Sequence, residues 1–169
     1  MRNLLCGCLV GVLAFAALSV LVLFSGVWPS HATARPPSAE TRLARIALDR
    51  SLARHAVRRS NPIQPTEENL LAGMKLFGDN CAGCHGTGTR RSHWGSANFY
   101  PPAPQFGFEP PAKPDWQLYS IVKHGVRYSG MAGWEGEMRE DEIWKVVTFL
   151  THLDSLPPLV ASQWGPSAK

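Results

Sequence analysis

One five-residue stretch, residues 81–85 with the sequence C-A-G-C-H, limits the folds open to this 169-residue chain more than any other feature. Two cysteines at this spacing occur in thioredoxin-like redox pairs, in zinc sites and in disulfides. A redox pair needs a strand–helix–strand context, and a zinc site needs further ligands such as a second C-x-x-C; the sequence shows neither. A histidine directly after the second cysteine gives C-x-x-C-H, the attachment signature of a c-type haem.

The spacing of the motif suits covalent haem attachment. Thiols one helical turn apart, on Cys81 and Cys84, can each add to a vinyl group of haem and form a thioether. His85 is then delivered to the iron from the same side of the porphyrin as a proximal ligand. The motif therefore predicts one haem c with its iron, bound through Cys81, Cys84 and His85.

The second axial ligand of the iron must come from another part of the chain. The candidates after the motif are His93, His124, Met131, Met138 and His152. Met131 lies in a glycine-flanked loop, residues 129–134 (S-G-M-A-G-W), whereas Met138 lies in an acidic stretch typical of a surface. Paired with histidine, a methionine ligand raises the reduction potential of haem. We predict Met131 as the second iron ligand, with two histidine ligands or an open sixth position as the alternatives.

An apolar run near the N-terminus, residues 4–24, carries no charged residue. As a helix it would span about 31 Å, at about 1.5 Å per residue, which matches the core of a bilayer. The apolar core of a signal peptide is shorter, about 7–15 residues. The run predicts an uncleaved transmembrane anchor, with cleavage after Ala34 in the A-T-A stretch 32–34 as the alternative.

Two observations on topology conflict. The positive-inside rule would place the arginine-rich flank that follows the apolar run in the cytoplasm. Covalent haem, however, is installed outside the cytoplasmic membrane of bacteria. We therefore predict a single-pass protein of the bacterial inner (cytoplasmic) membrane with its haem domain in the periplasm.

Charge is distributed unevenly along the chain. Residues 35–61 contain seven basic and two acidic residues, whereas nine basic and eleven acidic residues follow from residue 62 onward. A mildly acidic folded part excludes a nucleic-acid-binding face. We divide the chain into an N-terminal membrane anchor (1–34), a basic proline-flanked linker (35–65), a haem domain (66–158) and a C-terminal tail (159–169). A helix in the linker would either dock on lipid headgroups or a partner, or be a solvated spacer.

Three helices are predicted around the motif. The first begins after the N-cap candidate Thr66 and carries Leu70, Gly73, Met74 and Phe77. The second is predicted over residues 115–126, directly before the methionine loop. The third begins at the cap candidate Asp141 and stops before Pro157; its apolar residues are Ile143, Trp144, Val147, Phe149, Leu150 and Leu153.

With this order of helices around one C-x-x-C-H, the segment from about Thr66 to Pro158 resembles a class I (mono-haem) cytochrome c domain of the membrane-anchored bacterial type. The resemblance implies an all-α fold of three main helices around one covalent haem, preceded by the N-terminal transmembrane helix. Ala132 departs from the family, which often has proline after the ligand methionine. In the Y-P-P-A-P segment at 100–104, a carbonyl near Pro101 or Pro102 is expected to accept a hydrogen bond from His85 Nδ1.

The resemblance implies one-electron transfer by a membrane-tethered carrier that transforms no substrate. Its expected partners are redox proteins, above all membrane-bound oxidoreductases, together with the membrane itself through the N-terminal helix. Two alternatives stay open. One is a haem c subunit fixed in a larger membrane oxidoreductase complex, and the other is a sensor or peroxidase with an open sixth position on the iron.

Overall fold

A computed structural model describes residues 2–27 and 29–165 of the chain. Within these residues there are eight α-helices and one 3₁₀ helix, and the only β-type pairing is an isolated bridge between Glu135 and Met138. The prediction of an all-α fold is confirmed. The chain divides into two compact units, Met1–Ala34 and Arg35–Lys169.

The first unit contains helix α1, Arg2–Phe24. Its stretch Leu5–Phe24 is long and apolar enough to cross a membrane, and none of it is buried within the protein. A signal sequence near an N-terminus can meet the same criteria of length and apolar composition. The membrane anchor therefore stays a prediction at this point.

The second unit is organised around the crossing of α3 (Glu67–Asn80) and α7 (Glu140–Thr151). Thr66 caps α3 as predicted, because its hydroxyl oxygen accepts a hydrogen bond from the backbone N–H of Asn69 at 3.3 Å. Gly73 lies at the crossing, where a Cβ atom would stand 2.2 Å from the carbonyl oxygen of Lys145. Only glycine allows the two backbones to approach this closely.

The cap of α7 differs from the prediction. The helix begins at Glu140, so the predicted cap Asp141 lies inside the first turn, and the N-cap position is Arg139. The Glu142 carboxylate accepts a hydrogen bond from the backbone N–H of Arg139 at 2.9 Å. Asp141 instead pairs with Lys145 at 3.2 Å, one turn along the helix. Its negative charge in the first turn still favours the helix through the helix dipole.

The remaining main helix, α6, spans Asp115–His124 and packs against α7. The Tyr119 ring stacks on Trp144 with their centroids 4.1 Å apart. Two short helices, α4 (Ala82–His85) and α5 (His93–Ala97), lie between α3 and α6 along the chain.

Residues 158–164 form a helix, α8 (Pro158–Trp164), in the segment predicted as a plain tail. Val160 is fully buried, and the buried Trp164 ring lies 5.6 Å from the ring of Phe77 and 5.0 Å from that of Phe149. The last helix is therefore part of the hydrophobic core. A stretch this short shows no helical period, so its sequence did not indicate a packed element.

The segment predicted as a linker contains helix α2, Ser38–His55, whose Leu52 is buried. After α2 the chain crosses α6 and α7. The Arg59 guanidinium lies 4.5 Å from the centre of the Tyr119 ring, and Asn61 Nδ2 donates to Asp115 at 3.0 Å and to Thr148 at 2.9 Å. This part of the segment is thus held against the helical core.

The Glu140 carboxylate, at the start of α7, accepts hydrogen bonds from three side chains. It accepts hydrogen bonds from the Tyr119 hydroxyl at 2.8 Å, from Lys123 at 3.1 Å and from Arg59 at 3.3 Å. These hydrogen bonds lower the pKa of Glu140 to about 2, and the bond from Tyr119 has the largest effect.

We expect Glu140→Gln to lower the unfolding temperature at neutral pH. A folded-state pKa below the unfolded value contributes stability above about pH 4.5, and that stability is lost as the pH falls toward 2. The difference from wild type should therefore narrow between these two pH values and disappear below them. Thermal unfolding followed by circular dichroism across this range measures it, with the exposed Glu137→Gln as control. A difference that stays constant with pH would contradict the assignment.

Candidate haem site

The motif lies on two consecutive helical turns. Cys81 ends α3, since its backbone N–H donates to the Phe77 carbonyl at 2.8 Å. Its own carbonyl then accepts from the backbone N–H of Cys84 at 3.1 Å and of His85 at 2.9 Å, which forms the first turn of α4. Both thiols are free and half-buried. The two cysteines are thus one helical turn apart, as the spacing predicted.

Burial governs the chemistry of the Cys81 thiol. It raises the pKa of Cys81 to about 12, and the neighbouring Cys84 adds to the effect. The thiolate, which carries a charge, is disfavoured at this position. A thioether carries no charge, so the same surroundings suit a covalently attached haem.

The His85 ring is buried and oriented by a single hydrogen bond. Its Nδ1 lies 2.9 Å from the Pro104 carbonyl oxygen, which can only accept, so Nδ1 must carry the proton. Burial lowers the pKa of His85, and the hydrogen bond to Pro104 opposes that effect in part. The ring stacks on Phe106 with their centroids 4.7 Å apart. A neutral imidazole protonated on Nδ1 leaves the lone pair of Nε2 for a metal.

The carbonyl that accepts from His85 belongs to Pro104, and the expectation of Pro101 or Pro102 was wrong. The acceptor lies in the predicted segment, residues 100–104, but it is the last residue of that segment. Ala103 N–H donates to the Gly95 carbonyl at 2.9 Å, and Phe106 N–H donates to the His85 carbonyl at 3.3 Å. These two bonds fix where the segment passes the motif.

The methionine loop is held by its own hydrogen bonds. The Val126 N–H donates to the Met131 carbonyl at 3.0 Å, and the Met131 N–H donates to the Ser129 hydroxyl at 3.1 Å. Gly125, with φ +71°, lies so close that a Cβ there would stand 2.6 Å from the Met131 carbonyl oxygen. Met131 is half-buried. The loop is therefore ordered although Ala132 stands where the family often has proline.

A chain of contacts connects this loop to the motif. A Cβ atom on Gly130 would lie 2.2 Å from the Phe99 ring, so the loop rests directly on that ring. The Phe99 ring packs edge-on against Trp94 of α5 at 5.7 Å. In α5, a Cβ atom on Gly95 would lie 1.8 Å from the Cys84 carbonyl oxygen. The methionine loop is thus linked to α5 through Phe99, whereas the motif packs on α5 directly.

The three histidines weighed against Met131 have other surroundings. His93 is exposed at the start of α5. His124 ends α6, as expected, and its Nδ1 lies 3.3 Å from the Glu135 carboxylate. His152 Nδ1 lies 2.8 Å from the Thr148 carbonyl one turn earlier in the chain. Each of these contacts belongs to the local structure of a helix end.

Met138 is not the surface residue that its acidic neighbours suggested. A turn bonds its N–H to the Trp134 carbonyl at 3.0 Å, and the half-buried side chain packs against the hydrophobic core. The charged neighbours of Met138 in sequence did not predict its exposure, because the charged and the apolar side chains of this turn point in different directions.

One residue of the site was missed by sequence analysis. The side chain of Gln105 is buried and bonds the Cys84 carbonyl, the Ala103 carbonyl and the backbone N–H of Ser92. Glutamine is ordinarily a surface residue, so its type gave no signal.

The family model described as cytochrome c oxidase, cbb3-type, subunit III matches residues 68–150. These residues form a cytochrome c domain. Its cofactor is one covalently attached haem c, and its chemistry is haem-based electron transfer. Free thiols one helical turn apart and an imidazole oriented by its Nδ1 hydrogen bond fit this cofactor.

A chain of the reducing HAO-like protein complex of Kuenenia stuttgartiensis is structurally similar to the protein, with a TM-score of 0.44 and 20% sequence identity. The similarity covers 61% of this chain and 54% of that chain, so the present chain spans about half the length of its structural neighbour. No curated protein is similar in sequence.

Proposed function

We propose that the protein is a membrane-tethered one-electron carrier whose haem c is attached to Cys81 and Cys84 and ligated by His85 and Met131. The observation that carries this proposal is the hydrogen bond of 2.9 Å between His85 Nδ1 and the Pro104 carbonyl. It fixes the tautomer and the orientation of a buried imidazole and leaves Nε2 available to bind the iron. When bound, haem c supplies a reversible ferrous/ferric couple whose potential histidine and methionine ligands raise.

The residues around the haem motif serve this function by remaining in place. Burial disfavours the charged form of the His85 imidazole and so lowers its pKa. The hydrogen bonds made by the N–H and the carbonyl of Met131 hold its loop closed. A site that changes little between oxidation states favours fast electron transfer, since little must be reorganised.

We further propose that α1 stays in the bacterial inner membrane and that the haem domain, residues 66–158, lies in the periplasm. The length and apolar composition of Leu5–Phe24 support the anchor. The need to attach haem outside the cytoplasm supports the periplasmic location. A tether of this kind raises the effective concentration of the carrier near membrane-bound oxidoreductases, which are its proposed partners.

A second candidate function is that of a haem subunit fixed in a larger membrane complex. It is favoured by the match to a family described as a subunit of a cytochrome c oxidase. Copurification of a partner with the full chain in mild detergent distinguishes a fixed subunit from a free carrier.

The ligand assignment is tested by the near-infrared absorption of the oxidised protein, where sulfur-to-iron charge transfer marks a methionine ligand. We expect the band in the wild type and its loss in Met131→Leu, which keeps the side-chain size but removes the sulfur. Met138→Leu is the matched control and should retain the band. A band unchanged in Met131→Leu would exclude Met131. Haem without the band in the wild type would favour two histidine ligands or an open sixth position.

A further inference from the structure

Gln105 is 4% exposed, and its amide group is fully engaged. Nε2 donates to the carbonyl oxygens of Cys84 and Ala103, each at 2.9 Å, and Oε1 accepts from the backbone N–H of Ser92 at 2.7 Å. Burying an amide costs free energy unless the amide is hydrogen-bonded. These three bonds offset the cost of burying the Gln105 side chain.

These bonds join three segments that are separate in sequence. They connect the end of the haem motif, the N-cap of α5 and the backbone next to Pro104. Since Pro104 lies between Ala103, whose carbonyl is bonded, and Gln105, which makes the bonds, its own carbonyl is fixed relative to the motif. That carbonyl is the acceptor for His85 Nδ1 at 2.9 Å.

The surroundings of Gln105 leave little room for adjustment. A Cβ atom on Gly86 would lie 2.9 Å from Gln105 Oε1. Helix α5 packs against the same Cys84 carbonyl that Gln105 bonds, since a Cβ on Gly95 would lie 1.8 Å from its oxygen. The amide thus fills a close-fitting site between backbone segments.

We propose that Gln105 is a positioning residue for His85, which by holding the Pro104 carbonyl sets the strength of the hydrogen bond that His85 donates. The inference rests on the proposed ligation of the iron by His85. A hydrogen bond donated by Nδ1, the ring nitrogen that does not bind the iron, increases the basicity of a ligand imidazole. Hydrogen bonding around the ligands is one of the controls of haem potential. A more basic imidazole stabilises the ferric state, so loosening this bond raises the midpoint potential.

The experiment is a redox titration of the full-length, haem-loaded protein followed by its visible spectrum. Gln105→Leu removes all three bonds without adding charge. We expect its equilibrium with a reference couple to move about tenfold toward the reduced state, an upward shift of about 59 mV for one electron. Asn61→Leu is the matched control, because Asn61 also bridges two groups, Asp115 and Thr148, but touches no part of the motif. It should lower the unfolding temperature and leave the potential unchanged.

Gln105→Asn, which keeps a neutral amide but shortens the side chain by one methylene group, serves if Gln105→Leu does not retain haem. We expect a smaller shift in the same direction. An unchanged potential in the variant that retains haem overturns the inference, and so does an equal shift in Asn61→Leu.

If these results accompany a wild-type methionine band, the proposed function stands and only the role of Gln105 fails. If His85→Ala leaves the visible spectrum unchanged, His85 is not a ligand and both proposals fail.

Discussion

Replacing Cys81 and Cys84 together by alanine is expected to abolish covalent haem attachment. In the proposed attachment each thiol would add across a vinyl group, with a new sulfur–carbon bond on one vinyl carbon and the hydrogen on the other. Without either sulfur no thioether can form, although His85 and its hydrogen bond to Pro104 remain. The readout is haem-dependent peroxidase staining after a denaturing gel, in which covalent haem alone stays with the polypeptide.

The chain supplies its own control for this experiment. Cys6 and Cys8 in α1 are also free cysteines, and replacing both by alanine should leave the stained band at full intensity. Staining that survives in Cys81→Ala/Cys84→Ala would show that haem is attached elsewhere. Staining lost in the α1 variant would point instead to a failure of export.

Trp164→Ala is expected to destabilise the haem-loaded protein by about 3–5 kcal/mol, the range for truncating a large buried aromatic side chain. The Trp164 ring packs edge-on against both Phe77 and Phe149, so its loss leaves a cavity between α3, α7 and α8. Denaturant unfolding monitored by circular dichroism measures the change.

Leu159→Ala on the same helix is the matched control. Leu159 is 47% exposed, and its truncation should cost less than about 1 kcal/mol. Equal losses in the two variants would mean that α8 contributes through helix formation alone and that the Trp164 contacts are unimportant.

The sequence predicted the features that depend on residues close together in the chain. The spacing of C-x-x-C-H requires one helical turn between the cysteines, and Thr66 precedes an apolar helical period, so the motif and the cap were both found. Gly73 was placed in the first predicted helix, and the close approach of the Lys145 carbonyl explains why glycine is needed there.

The features that the sequence did not predict depend on how distant segments meet. Which proline carbonyl faces His85 is decided by the path of the 100–106 segment, and that path is set by backbone bonds to Gly95 and His85. No sequence motif marks Gln105, because its partners are backbone carbonyl and N–H groups, which carry no information on residue type. Asp141 was a reasonable cap by residue type, but the N-cap position of α7 is Arg139, two residues earlier.

The position of α8 determines when the haem-binding segment is enclosed during synthesis. A Cβ atom on Gly88 would lie 2.4 Å from the Trp164 carbonyl oxygen, so the last helix closes over the residues that directly follow the motif. About 80 residues separate the motif from this cover. At about 5–20 residues per second, translation alone takes about 4–16 s to deliver them. In a newly made chain the residues that follow the motif are therefore without their C-terminal cover for seconds.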